Sequence, residues 1–171
     1  MQLVLMRHAI AEERSERWPD DGRRPLTKGG ERKHRAVSEE LRRMGIAFDE
    51  ILSSPLVRAR QTAEITARVY GWTRPIVEAE ELGYRFSFPA LAARLERFDR
   101  DASILCVGHE PDLSRFGGRL LHASGDVQIE FKKSGVLGLA LETGVQPGSA
   151  TLLWFLKPGH LARIAKGEPA R

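Results

Sequence analysis

The sequence predicts a layered α/β fold, with helices packed on a central, mainly parallel sheet that finishes in an antiparallel edge. Three observations point there. Short apolar runs alternate with amphipathic stretches from the N-terminus to about residue 121, the order that builds parallel sheets. Residues 103–107 are the strongest strand, an apolar run of the kind that is buried on both faces. Beyond residue 121 the alternation stops, and two strand-like runs flank Gly144-Val-Gln-Pro-Gly148, the pattern of a hairpin at a sheet edge.

Taken in order, residues 2–6 form the first strand, and residues 9–25 are a charged loop in which Trp18-Pro-Asp-Asp-Gly22 supplies turn chemistry. Thr27 caps a helix that runs to about Met44, carries Ala36, Val37, Leu41 and Met44 on one face, and ends at Gly45. Residues 50–53 are the second strand. Ser54-Pro55 then opens a helix, serine as N-cap and proline at the first helical position, which reaches Tyr70 and stops at Gly71. A short strand over 75–77 and an amphipathic helix over 88–98 precede the buried strand. Pro111 begins a helix to Leu121, in the first turn where a missing N–H is tolerated. Strands over 136–141 and 150–156 make the hairpin, and Lys157-Pro158-Gly159 leads to a short helix and a frayed tail.

At 171 residues the chain fits one domain over 1–171, with 42% hydrophobic and 29% charged residues, ordinary for a globular protein. The net charge of +4 and pI near 9.6 come from scattered arginines. With no RNA-recognition aromatic motif, zinc-finger spacing or dense basic run, the charge reads as a solvated surface that attracts anionic substrates; no nucleic acid partner is expected. The lone cysteine, Cys106, sits in the apolar run and reads as a core residue, fitting a reducing cytosol. No stretch reaches membrane-spanning length, and Arg7 interrupts the N-terminal apolar run too early for a signal peptide; a cytoplasmic location and no membrane partner are expected. His34, His122 and His160 share no short-range ligand pattern, so neither a metal nor another cofactor is expected. Oligomeric state is left open.

Three strand-to-helix junctions carry candidate chemistry. Met6-Arg7-His8 ends the first strand, where open α/β sheets gather ligands. Arginine offers a rigid fork to phosphate oxygens, and a neutral imidazole can attack phosphorus. Ser53-Ser54-Pro55-Leu-Val-Arg58 places Arg58 in a first helical turn, against the helix dipole unless an anion is near. Val107-Gly108-His109-Glu110-Pro111 repeats the arrangement, with a glycine that admits close backbone approach. Two histidines and two arginines at equivalent junctions share one edge of a layered sheet and can converge on one anion.

Met6-Arg7-His8-Ala9, Arg24-Pro25-Leu26-Thr27 with Gly30, Ser54-Pro55-Leu56-Val57-Arg58-Ala59-Arg60-Gln61-Thr62 and Val107-Gly108-His109-Glu110-Pro111, in that order, resemble the histidine phosphatase superfamily. The compact stretch between Gly71 and Asp101 resembles its SixA branch of protein phosphohistidine phosphatases, and the likeness extends through Leu156-Lys157-Pro158-Gly159-His160. The resemblance implies a three-layer α/β/α sandwich of the phosphoglycerate mutase-like kind. It also implies a metal-independent phosphatase in which His8 is the nucleophile, with Arg7, Arg58 and His109 around the phosphoryl group. Its implied partner is a phosphohistidine-containing protein such as a phosphotransfer domain. Two alternatives stay open: a phosphatase for small phosphomonoesters, and a non-catalytic phospho-ligand-binding module.

The chemistry asks for a neutral His8, favoured by nearby guanidiniums, with its second ring nitrogen donating to a backbone carbonyl. Ala9 stands where many members have glycine, a small change. The proton donor is unassigned: Glu80-Glu81-Leu82-Gly83-Tyr84 does not align with the usual acid, and Glu80 and Glu81 read as a solvated pair. A phosphohistidine nitrogen leaves more easily than an alkoxide and can do without a strong acid. Arg24 is a candidate for the mouth of the site, with a solvated loop arginine as the alternative. Trp18 reads as an anchor for its loop, or as a cover for the pocket. Glu110 belongs to the motif without an assigned contact.

Overall fold

Strand β1 (Gln2–Arg7) divides the molecule into layers. Leu3 and Leu5 enter one buried apolar cluster and Val4 and Met6 another, as the two-residue period of a strand dictates. The structure, a computed structural model, describes residues 1–125 and 127–166. Strands β2 (Glu50–Ser53), β3 (Val77–Glu78), β4 (Ser103–Gly108), β5 (Val136–Leu141) and β6 (Ala150–Leu156) complete one six-stranded sheet in the order β3-β2-β4-β1-β5-β6. The first four strands of the chain run parallel, while β5 pairs antiparallel with both β1 and β6, so the hairpin forms the expected antiparallel edge.

The helices are α1 (Lys28–Arg43), α2 (Val57–Tyr70), α3 (Phe88–Leu95), α4 (Asp112–Leu121) and α5 (Pro158–Ile164). Val37 and Leu41 of α1, Ala59, Ala63 and Ala67 of α2 and Leu161 of α5 pack over the Val4–Met6 face. Leu91 and Leu95 of α3 with Leu113, Phe116 and Leu120 of α4 cover the other. The result is the three-layer α/β/α sandwich. Phe116, fully buried between the rings of Phe86 and Phe88, is a large single contributor, since truncating such a side chain costs about 3–5 kcal/mol. Cys106 is fully buried in that layer, and burial pushes its thiol up to about 12.

Several boundaries differ from the sequence reading, each for a local reason. Thr27 does cap α1, accepting from the Gly30 amide at 2.9 Å, but Ala36 and Met44 are exposed. The buried stripe runs through Gly30, His34, Val37, Ser38, Glu40 and Leu41, so half of it is polar. Helix α2 starts at Val57, not at Ser54-Pro55, because the Ser54 hydroxyl accepts from the Leu56 amide at 3.2 Å and holds an extended turn ahead of the helix. Strand β3 is shifted from 75–77 to Val77–Glu78, since pairing with β2 begins at Leu52 opposite Val77. Helix α3 stops at Leu95, where tight bonds from Arg97 to Arg94 and from Phe98 to Leu95 close the last turn and return Phe98 to the core. Pro111 precedes the first turn of α4 as its cap residue rather than lying within it. The frayed tail expected beyond the last helix falls on residues 167–171, outside the described residues.

Candidate active site

Parallel register brings the three motif junctions together. Arg7 lies opposite Gly108, and the His8 amide donates to the Gly108 carbonyl at 3.0 Å. On the other side of β4, the Ser54 amide donates to the Val107 carbonyl at 3.0 Å. His8, His109 and Ser54 therefore stand abreast at the carboxyl edge of the sheet. The two imidazoles are 5.0 Å apart between centroids and inclined by 51°.

Each ring has one nitrogen engaged. His8 Nδ1 lies 2.7 Å from the Ala9 carbonyl oxygen, which can only accept. In the neutral ring Nδ1 therefore carries the proton and Nε2 keeps its lone pair. His109 Nε2 lies 2.8 Å from Ser54 Oγ. That hydroxyl accepts from Leu56, and when it donates its own proton to Nε2 the ring proton sits on Nδ1. Burial, with His109 and the guanidiniums of Arg58 and Arg7 adding to it, pushes His8 down to about 2 against the pull of the Ala9 carbonyl. Burial, then Arg58, pushes His109 down to about 3. Both imidazoles are neutral at neutral pH.

The guanidiniums are held from behind. Arg7 Nη1 donates to the Phe131 carbonyl at 2.7 Å. Arg58, with its side chain 7% exposed, donates from Nη1 to the Asp21 carbonyl at 2.8 Å and pairs through Nη2 with the Asp21 carboxylate at 3.1 Å. The anion that answers this arginine at its helix N-terminus is thus supplied by the protein itself. The same carboxylate pairs with Arg24 and Arg14, each at 2.9 Å, and accepts from the Tyr84 hydroxyl at 3.0 Å. Burial works to raise the Asp21 carboxyl, but Tyr84 and the arginines outweigh it and hold the group well below the usual carboxylate range. Among the described residues, Arg7 Nε, Arg58 Nε and His109 Nδ1 are buried without a hydrogen-bond partner, as is the more distant Trp72 Nε1. Three donors at one edge, beside an imidazole with a free lone pair, suit a tetrahedral oxyanion.

A polar layer beneath fixes the backbone of this edge. The Ala9 amide donates to Thr62 Oγ1 at 3.0 Å, and that hydroxyl donates to the Arg58 carbonyl at 2.6 Å. Thr62 thereby links the segment after β1 to the first turns of α2. Fully buried His34 connects the Thr62 carbonyl and Thr66 Oγ1, through Nε2, with Ser134 Oγ, through Nδ1. Ser134 has a φ of 64°, uncommon for a residue with a side chain, and its amide reaches both the Arg7 and His8 carbonyls, at 3.1 and 3.3 Å.

Of the residues the sequence singled out, His8, Arg7, Arg58 and His109 are brought together. Arg24 is side-by-side with Arg58 on Asp21, and it also donates to the Glu12 carbonyl at 2.6 Å. Glu80 is exposed, whereas Glu81 forms a two-point pair with Arg94 at 2.9 and 3.1 Å rather than a solvated partner for Glu80. Glu110 accepts from the Ser114 amide at 3.2 Å, and burial raises its carboxyl. Trp18 is half-buried under Arg17 in its loop. Sequence reasoning missed Asp21, Tyr84, Thr62 and Ser134, and it assigned Ser54 to a cap instead of to His109. The conflict at Arg58 was the one signal that an anion was needed; nothing local tied it to residue 21. Among the described residues, no three His, Cys, Asp or Glu side chains are grouped to hold a metal ion, and no helix is long and apolar enough to cross a membrane.

Comparison with known proteins agrees with this fold. The family described as histidine phosphatase superfamily (branch 1) matches residues 3–83. An uncharacterized protein of Picosynechococcus sp. is 40% identical over 141 residues, covering 81% of this chain and 84% of that one. Phosphohistidine phosphatase SixA of Escherichia coli is 26% identical over 168 residues, covering 97% of this chain and 99% of its own length. A solved structure of the protein histidine phosphatase SixA complexed with tungstate superposes with a TM-score of 0.82 at 25% identity, over 94% of this chain and 99% of that one. With its layered sheet, its strand-edge histidines and these relatives, the chain belongs to the histidine phosphatase superfamily and is similar to its SixA-type members.

Proposed function

We propose that this protein is a phosphatase in which His8 Nε2 attacks phosphorus, and that its substrate is phosphohistidine on a signalling or phosphotransfer protein. The observation that carries the reading is the His8 ring: Nδ1 tied to the Ala9 carbonyl, Nε2 unprotonated, and buried donors of Arg7, Arg58 and His109 gathered beside it. In the first step the Nε2 lone pair forms a P–N bond as the bond from phosphorus to the substrate imidazole breaks; the departing nitrogen keeps the electron pair and leaves as neutral imidazole, the other nitrogen of the substrate ring having been protonated from solvent beforehand. The His8 ring becomes cationic, and the Ala9 carbonyl stabilises its Nδ1–H as that charge grows. Arg7, Arg58 and the Nδ1–H of His109 meet the charge spread over the equatorial oxygens. A water oxygen then bonds to phosphorus, the bond to Nε2 breaks, and the electron pair returns to the ring.

The choice of a nitrogen leaving group rests on the acids of the site. An alkoxide needs a proton delivered as it departs, and Asp21 and Glu81 are both held in the ionised form by cations. Glu110 retains a proton more readily, but its carboxyl is turned to Ser114. The name of the Escherichia coli relative supports the same substrate class.

Rapid quench with a 32P-labelled phosphotransfer domain tests the proposal. An acid-labile, base-stable label mapped to His8, absent in His8→Ala, is the expected result. Turnover of the phosphoprotein no faster than that of small phosphoesters would overturn the substrate assignment. A wild-type protein that binds phosphate but never becomes labelled would overturn catalysis and leave a binding module.

A further inference from the structure

Beside the candidate site, α1 and α5 do not close over one another completely. Between them runs a groove of about 560 Å³, predominantly apolar, with Val37 and Ile10 in its floor and Ala36 and Ala162 along its walls. Ala36 is the residue that the helical pattern of α1 places on a buried face and that the fold leaves exposed. Lys33, Lys132 and Lys133 line the same groove. Lys132 is paired with Glu130, but among the described residues Lys33 and Lys133 have no acidic side chain within ion-pair distance. An apolar strip rimmed by charge on an otherwise polar surface marks a place for a partner.

The groove adjoins the backbone that carries the site. Ser134, at its end, donates its amide to the carbonyls of Arg7 and His8, and Ile10 is two residues beyond His8. The Lys133 ammonium lies within the electrostatic reach of Arg7, Arg24, Glu13 and Arg58, three cations against one carboxylate. A protein whose phosphorylated side chain enters the pocket must therefore lay neighbouring structure along α1 and α5.

We propose that this groove seats an acidic amphipathic helix of the phosphohistidine-bearing protein, an inference that rests on the substrate reading above. Small residues on two flanking helices let a third helix approach closely, its apolar face meeting Ala36, Val37 and Ala162. Its carboxylates then meet Lys33 and Lys133, so the occupant is acidic by complementarity.

Two substitutions outside the catalytic machinery test this, Lys33→Glu for the charge and Ala36→Trp for the space. Each is assayed with a phosphorylated phosphotransfer domain and with free N-phosphohistidine at physiological salt. The expected result is a KM for the phosphoprotein raised by about tenfold in either variant, with kcat unchanged and free phosphohistidine hydrolysed as by wild type. Equal losses on both substrates, or no loss on either, overturn the groove assignment while leaving the phosphatase reading standing. Wild-type self-association that Ala36→Trp abolishes also overturns it, because the occupant is then a second copy of this chain. A wild-type protein inert toward both substrates overturns the phosphatase reading itself, and this inference with it.

Discussion

Replacing Asp21 by asparagine removes one negative charge from beneath four donors and keeps the shape of the side chain. The donors do not contribute equally. The Arg14 side chain is 80% exposed, and such a pair stabilises by about 0–1 kcal/mol. The Arg24 and Arg58 side chains are 13% and 7% exposed, against 21% for Asp21. Breaking a buried pair costs about 3–5 kcal/mol; solvent reaching Asp21, and the amide oxygen that still accepts from Tyr84, bring the expected loss to about 2–3 kcal/mol. For a chain of this size that lowers Tm by roughly 4–12 °C. The second half of the prediction concerns sign. Without the carboxylate, Arg58 and Arg24 stay buried and uncompensated, so inorganic phosphate, which supplies the missing charge, raises Tm more in Asp21→Asn than in wild type. Thermal unfolding with and without phosphate reads both effects. An unchanged Tm, or a lowered Tm with the same phosphate increment as wild type, would refute the claim that Asp21 stands in for the ligand at Arg58.

Acid stability follows from the buried histidines. His8, His109 and His34 sit at about 2, about 3 and about 4, so below pH 6.5 the unfolded chain binds protons that the folded protein refuses. Stability is full above pH 6.5 and falls as pH drops toward those folded values, by on the order of 3 kcal/mol for fully buried His34 once pH is below 4; between pH 7 and pH 5 the three histidines contribute about 2 kcal/mol each, so in urea titrations His34→Gln should lose about a third of the dependence. Gly30→Ala reverses the usual benefit of alanine in a helix, because a Cβ there would lie 2.1 Å from the Ile10 carbonyl oxygen, backbone that cannot move aside cheaply. A loss of more than about 1 kcal/mol in chemical denaturation is expected, where an unstrained site would gain a similar amount. Cys106 should react with a thiol reagent only at the rate of global unfolding, measured by trapping in increasing denaturant.

What the sequence made legible followed its apolar pattern. Strands such as Glu50–Ser53 and Val136–Leu141 stand where their short runs place them, since each run is long enough to be a strand and too short for a buried helix. The four charged or imidazole residues of the site were legible because strand ends share an edge. Polar interior contacts were not. His34, Ser38 and Thr66 bond to each other at zero exposure, yet the apolar pattern of α1 and α2 does not mark them as interior. Asp21 sits in a turn whose Asp-Asp-Gly composition explains itself without reference to Arg58, and pairing across 37 residues leaves no local trace. Ser54 was misread because a hydroxyl ahead of a helix is a good cap in any sequence; its use by His109 depends on β2 lying next to β4.

That β4 lies between β1 and β2 has a bearing on how the protein comes into being. A ribosome delivers the His8 imidazole and both of its cationic neighbours, Arg7 and Arg58, within about the first third of translation, but the two strands that present them touch only through one made much later. Until residue 109 has emerged and its strand has slotted home, the nascent polypeptide holds Arg7, His8 and Arg58 with no strand between β1 and β2 to set their register. On the proposed function competence arrives late, since a product ending before residue 103 lacks both β4 and His109.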